Sequence, residues 1–123
     1  MIVGIDPGVT TGLVAVKGTE IVDASEDTVY GAIANFIDRW RPEVVIVEDY
    51  ILGPRPGLAK PAIKVLGVVE YLCQQRHIPL IVSSPAILRG MLPRVKGSHP
   101  SRHVRSAYAH VLKYALSRRA REG

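Results

Sequence analysis

The 123-residue chain contains one cysteine, Cys73. A lone thiol excludes a disulfide framework, and its place in an apolar, helix-patterned stretch makes it a buried structural thiol rather than a nucleophile. Long apolar runs are missing as well: no segment reaches the roughly 18 uninterrupted apolar residues of a membrane span. The start of the chain shows no basic region followed by an apolar stretch and a cleavage site. These absences lead to the expectation of a soluble, cytoplasmic protein with no membrane partner. Repeats and low-complexity segments are also lacking, and the length suits one core and one domain over 1–123.

Acidic residues are scarce in the second part of the chain. Residues 50–123 hold two acidic and thirteen basic side chains, net +11, whereas residues 1–49 hold nine acidic and three basic ones, net −6. Each Lys or Arg taken alone is an ordinary solubilising residue. Taken together, a basic face beside an acidic pocket suits a polyanion held against a cation. Arg55, Lys60 and Lys64 bracket the second acidic site, and Arg94, Lys96, Arg102 and Arg105 follow later in the chain; these seven are the candidate polyanion-binding residues.

The acidic residues present are placed at strand ends. Ile2, Val3 and Ile5 pattern as a buried strand that carries Asp6 and stops at Pro7-Gly8 in a Gly-rich turn, with Leu13–Val16 as its return partner. A carboxylate there is costly to seat unless donors or a cation meet it, although a turn-capping Asp beside Pro-Gly is the plainer reading. A second apolar run, 43–50, ends in Glu48 and Asp49 before Gly53-Pro-Arg-Pro-Gly57. Alternation lets only one of Glu48 and Asp49 face Asp6. If the strands are neighbours, that pair repels unless a divalent cation sits between its members, and oxygen ligands suit Mg²⁺ or Mn²⁺.

Thr19–Ala24 patterns as a third strand of an antiparallel meander. Ser25 or Asp27 is a candidate cap for a helix with Val29, Ile33, Phe36, Ile37 and Trp40 on one face, ended by Pro42. Pro61 suits the first turn of a helix running to about His77. Pro79–Val82 predicts a fifth strand, Ser84–Met91 a short helix, and 93–100 a mobile basic loop. The last helix is expected from about Ser101 to about Arg119, its apolar stripe including Val104, Ala107 and Val111. Three antiparallel strands followed by alternating helix and strand predict a mixed five-stranded α/β sheet with helices on both faces. His77 and His99 read as exposed, and Tyr50, Tyr108 and Tyr114 as core-edge aromatics, with Tyr50 also able to stack on an unpaired base.

Gly4-Ile-Asp-Pro-Gly-Val-Thr-Thr-Gly12, Val47-Glu-Asp49, Lys64-Val-Leu-Gly-Val-Val-Glu70 and Ile78-Pro-Leu-Ile-Val82, in this order, resemble the RuvC family of Holliday-junction resolvases in the ribonuclease H-like superfamily. Actin-like kinases share the first motif, but need two such domains. The compactness is similar to phage members. The resemblance implies a ribonuclease H-like fold and a homodimer that cleaves four-way-junction DNA with two divalent ions, using the 59–77 helix as interface. It assigns catalysis to Asp6, Glu48 and His103. Metal binding falls to these three with Ser106, where the family carries a carboxylate, and with Asp49 and His110 as substitutes; His110 also reads as a packing residue. Ser106 keeps open a junction-binding module with little cleavage, and a YqgF-type ribonuclease shares the fold.

Overall fold

A computed structural model describes residues 1–49 and 56–122, with side chains for 1–49 and 60–122. Strand β1 (Ile2–Asp6) runs through a tight turn into β2 (Thr11–Lys17) and β3 (Glu20–Asp27). Helix α1 (Tyr30–Trp40), strand β4 (Val44–Glu48), helix α2 (Pro56–Gln75) and strand β5 (Leu80–Ser83) follow. A 3₁₀ turn (Pro85–Ile87) then leads to α3 (Leu88–Val95) and α4 (Arg102–Glu122). The five strands lie in the order β3-β2-β1-β4-β5, with β1, β2 and β3 antiparallel and β1, β4 and β5 parallel. The expected mixed sheet with helices on both faces is therefore what forms. No described helix is long and apolar enough to cross a membrane.

Period-two alternation divides the core between the two faces. Val3, Ile5, Leu13, Ala15, Val45 and Val47 pack with Ile33, Phe36 and Ile37 of α1 and Val65, Val69, Leu72 and Cys73 of α2. Ile2, Val14, Val16, Val44 and Ile46 pack on the other face against Val104, Ala107 and Val111 of α4. Two glycines set how closely α4 lies on the sheet. A Cβ on Gly4 would stand 2.5 Å from Val111 Cγ2, and one on Gly12 would run into the His103 backbone. The helix thus rests on bare backbone at the strands that carry and flank Asp6.

Several boundaries depart from the sequence reading. Pro61 lies inside α2, which begins at Pro56, where the missing N–H would have no helical partner in any case. Ser25 belongs to β3; Asp27 Oδ1 accepts from the Thr28 and Val29 N–H groups ahead of α1; and Val29, expected on the apolar face, is an exposed N-cap. The expected loop 93–100 is shorter than predicted: residues 93–95 complete α3, because Met91 and Val95, one turn apart, are buried against Ala109 of α4, and only 96–100 form the turn that leads to α4. His99, expected exposed, is half-buried and its Nδ1 accepts the Ser101 N–H at 3.0 Å.

Candidate active site

Parallel pairing carries three side chains to one edge of the α4-facing side of the sheet. Ile2 and Gly4 of β1 face α4, so Asp6 does too; in β4 the same holds for Val44, Ile46 and hence Glu48. The register pairs Ile5 with Val47, which sets Asp6 alongside Glu48 one step further, and it pairs Glu48 directly with Ser83 of β5. The neighbouring ends of β1, β4 and β5 thus present Asp6, Glu48 and Ser83 in a row.

Helix α4 lies over that row and contributes His103, Ser106 and His110, which share a face at i, i+3 and i+7. His103 Nδ1 is 3.6 Å from Asp6 Oδ2, and its ring stays one-third exposed. Ser106 is buried beside both carboxylates. His110 is fully buried, with Nε2 3.5 Å from Glu48 Oε1 and Nδ1 2.6 Å from Ser83 Oγ.

Two half-buried carboxyl groups side by side cannot both ionise cheaply without a cation. Burial, and then Glu48 as hydrogen-bond partner and as charge, push the Asp6 carboxyl up to about 9, against the Ser106 hydroxyl and the Arg102 charge. Burial raises Glu48 too, but the neighbouring His110 ring, the Asp6 carboxyl and the Ser106 hydroxyl outweigh it and hold Glu48 below the ordinary value. Free of metal, the pair therefore shares one proton near neutral pH, held on the Asp6 side. Hard oxygen donors that would both ionise around a cation fit one Mg²⁺ or Mn²⁺ ion, completed by water or phosphate oxygens. The fit stops short of a full cage: among the described residues no group of three or more His, Cys, Asp and Glu side chains closes around a point.

Asp49 stays outside this cluster. Its N–H donates to the Ser83 carbonyl at 2.7 Å, and it is not among the groups that shift Asp6 or Glu48. A cleft of about 890 Å³ opens over Asp6, His103 and Ser106, walled by Arg89, Lys96, Arg102 and Arg105. Arg105 is committed to the His99 and Pro100 carbonyls at 2.6 and 2.9 Å, so it ties down the loop before α4. Lys60 and Lys64 border a separate groove of about 350 Å³ beside Gly8 and Val9. Arg94, expected with the cleft residues, instead faces a hollow with Lys113 between α3 and α4. Arg55 and Tyr50 lie outside the described residues.

Sequence reasoning missed Arg89 and Ser83. Arg89 fell in a segment read only as a short helix, and its spacing from Leu88 and Leu92 on the cleft wall was the available signal. Ser83 sits one residue beyond the expected end of β5, where alternation from Ile81 points it at α4.

No protein-family model matches the chain, and no curated relative matches it in sequence. Solved structures do. Thermus thermophilus RuvC superposes with a TM-score of 0.78 at 21% identity, over 97% of this chain and 95% of that one. The fold is that of RuvC. The same bacterial RuvC in complex with a Holliday junction substrate gives 0.76 at 22% identity over the same shares of the two chains. The fowlpox virus resolvase, in complex with Holliday junction DNA, gives 0.68 at 13% identity over 95% of this chain and 99% of its own. A bacterial and a viral protein are both matched along almost their full chains, so compactness does not separate phage from cellular origin.

Proposed function

We propose that this protein is a RuvC-type endonuclease that cleaves branched DNA, in the first place four-way junctions, with a divalent ion held by Asp6 and Glu48. One observation carries the reading: two largely buried carboxylates from adjacent parallel strands lie side by side, and Asp6, with His103 and Ser106 of α4, opens into a basic cleft. Asp6 and Glu48 would hold that ion, and the chemistry it would supply when bound is activation of water and stabilisation of the phosphodiester's leaving oxygen. The chain's own residues do the rest. Arg89, Lys96 and Arg102 hold the backbone phosphates along the cleft. His103, the partly exposed titratable group beside Asp6, accepts the proton released by the attacking water. Hydrolysis then breaks one P–O bond and leaves one phosphate-ended and one hydroxyl-ended strand.

A junction offers two equivalent strands, which a two-fold dimer matches. The exposed stripe Ile63, Gly67 and Tyr71 on α2, at i, i+4 and i+8, is the face assigned to the second copy. Ser106 favours a second reading, a junction binder with little cleavage, because a hydroxyl holds a cation less firmly than a carboxylate.

The test is a labelled four-way junction, a matching duplex and an RNA–DNA hybrid, each incubated with Mg²⁺, Mn²⁺ or EDTA. Junction cleavage that requires the metal, and that falls by orders of magnitude in Asp6→Asn and Glu48→Gln with junction binding kept, is expected. Tight junction binding with no cleavage in any metal selects the binder. Preferential cutting of the hybrid selects a ribonuclease.

A further inference from the structure

The feature least explained by the nuclease reading is a histidine sealed inside it. His110 is 1% exposed, and its Nε2 is the buried side-chain nitrogen or oxygen without a hydrogen-bond partner among the described residues. The ring spans the ends of two neighbouring strands. Nδ1 meets the Ser83 hydroxyl at 2.6 Å and Nε2 faces Glu48 Oε1 at 3.5 Å, Ser83 and Glu48 being direct partners in the β4–β5 ladder. Removing a polar atom from water without a partner is costly, so a ring placed this way has work to do on one side or the other.

Two roles compete for Nε2. As a ligand it would present a lone pair, and Nδ1 would then carry the proton and donate to Ser83. As a donor it would carry the proton, and Nδ1 would accept from the Ser83 hydroxyl. The neighbours decide between them. A carboxylate accepts only, so a lone pair on Nε2 would set two acceptors against each other in a dry site; the Ser83 hydroxyl can donate or accept and adapts to either.

We infer that Ser83, His110 and Glu48 form a buried positioning chain, in which the Ser83 hydroxyl fixes the His110 ring so that Nε2–H holds one oxygen of Glu48 and leaves the rest of that carboxylate to Asp6 and the ion. This deepens the proposed function and rests on it for the ion. It withdraws His110 from the set of candidate ligands and makes it a positioning residue that acts through Glu48. The helical phase agrees: His110 lies a full turn beyond Ser106, over the Glu48–Ser83 pair, whereas His103 lies over Asp6. Carboxylates that ligate metals are themselves held by hydrogen bonds from outer residues, and loss of such a partner lowers metal affinity by about tenfold to a hundredfold.

The test begins with the unaltered full-length protein. Histidine-selective ¹⁵N spectra of the metal-free form should show a protonated Nε2 and an unprotonated Nδ1 for His110, the signal being assigned by its absence in His110→Gln. Addition of Mg²⁺ should leave Nε2 protonated. Calorimetric titration with Mn²⁺ alone, without DNA, should show His110→Ala binding the ion about tenfold to a hundredfold more weakly. His110→Gln, which keeps a donor at the Nε2 position, should recover most of that loss, and Ser83→Ala should fall between. A protonated Nδ1 with a bare Nε2, or loss of the Nε2 proton on adding Mg²⁺, overturns the chain and makes His110 a ligand. Unchanged Mn²⁺ affinity in a folded His110→Ala overturns it too, and if that variant does not fold, the parent spectrum and Ser83→Ala still decide. A parent that shows the expected tautomer but binds no divalent ion refutes the nuclease reading and leaves the hydrogen-bond chain standing.

Discussion

Asp6→Asn should stabilise the metal-free protein while abolishing its proposed activity. The Asp6 carboxyl is raised from 3.8 to about 9, chiefly by burial and then by Glu48. Between those values the folded chain keeps a proton that the unfolded chain has released. Stability from this group is therefore complete below pH 3.8 and is lost as pH rises towards 9. At pH 7 about three pH units of that interval have been crossed, which at about 1.4 kcal/mol each sets a ceiling of about 4 kcal/mol. Glu48 is shifted the opposite way and shares the same proton, so a net effect of about 1–2 kcal/mol is expected. Asn keeps the shape of the protonated carboxyl and cannot ionise.

Thermal unfolding in EDTA at pH 5.5, 7 and 8.5 reads this directly. For a chain of this size about 1–2 kcal/mol corresponds to a rise in Tm of about 4–8 °C, and the advantage of Asp6→Asn should grow with pH. Excess Mg²⁺ should remove it, since an ion at about a hundred times its Kd stabilises only the protein that binds it, by about 2.7 kcal/mol. Equal Tm values for parent and variant at pH 8.5 in EDTA would refute the argument that these two carboxylates are held together against their charge. A parent that gains nothing from Mg²⁺ would refute the assignment of a cation to them.

Ser106→Asp should move the two conditions apart, lowering Tm in EDTA by adding a third buried carboxylate and raising both Tm and cleavage at low Mg²⁺. Gly12→Ala places a methyl group against the His103 backbone, so α4 must lift at its first turn; a loss of about 1–3 kcal/mol in denaturant unfolding is expected, with reduced cleavage. Neutralising Arg89, Lys96 and Arg102 together should flatten the salt dependence of junction binding by up to about three phosphate contacts, whereas the Lys60 and Lys64 pair should change it less if the cleft is the main DNA track. An arginine at Tyr71 should shift the protein from dimer to monomer in light scattering if α2 carries the interface.

The sheet and the two acidic strand ends were legible because their signal is local. Ile2, Val3 and Ile5 alternate between two buried faces, and a carboxylate closing such a run stands out against its cost of burial. The choice between Glu48 and Asp49 was not legible, since it depends on the β1–β4 register, a long-range pairing that slides both faces with a one-residue slip. The prolines misled for a related reason. Pro61 and Pro93 obey the local rule that proline starts or ends a helix only in part, because burial of Val65 and Val69 in one case and of Met91 and Val95 in the other holds the helix through them. Gly12 fell in the stretch read as a Gly-rich turn and Gly4 drew no packing reading, whereas their structural role is to admit α4 to the sheet.

The charge count at the site joins these points. A third carboxylate at position 106 would place three negative groups in one buried pocket, each opposing the others until an ion arrives. With Ser106 the pocket holds two, which share one proton, and His110 lies against one of them, so the metal-free site is less strained. The same economy weakens the hold on a cation, because the free energy that ion binding would recover from carboxylate repulsion is smaller. Affinity for metal and stability without it are thus set in opposition by one side chain. The concentration of Mg²⁺ at which cleavage reaches half its maximum is the quantity that decides between a working nuclease and a junction binder. It should fall in Ser106→Asp and rise in His110→Ala, and a site in which both substitutions left it unchanged would not be organised around Asp6 and Glu48 at all.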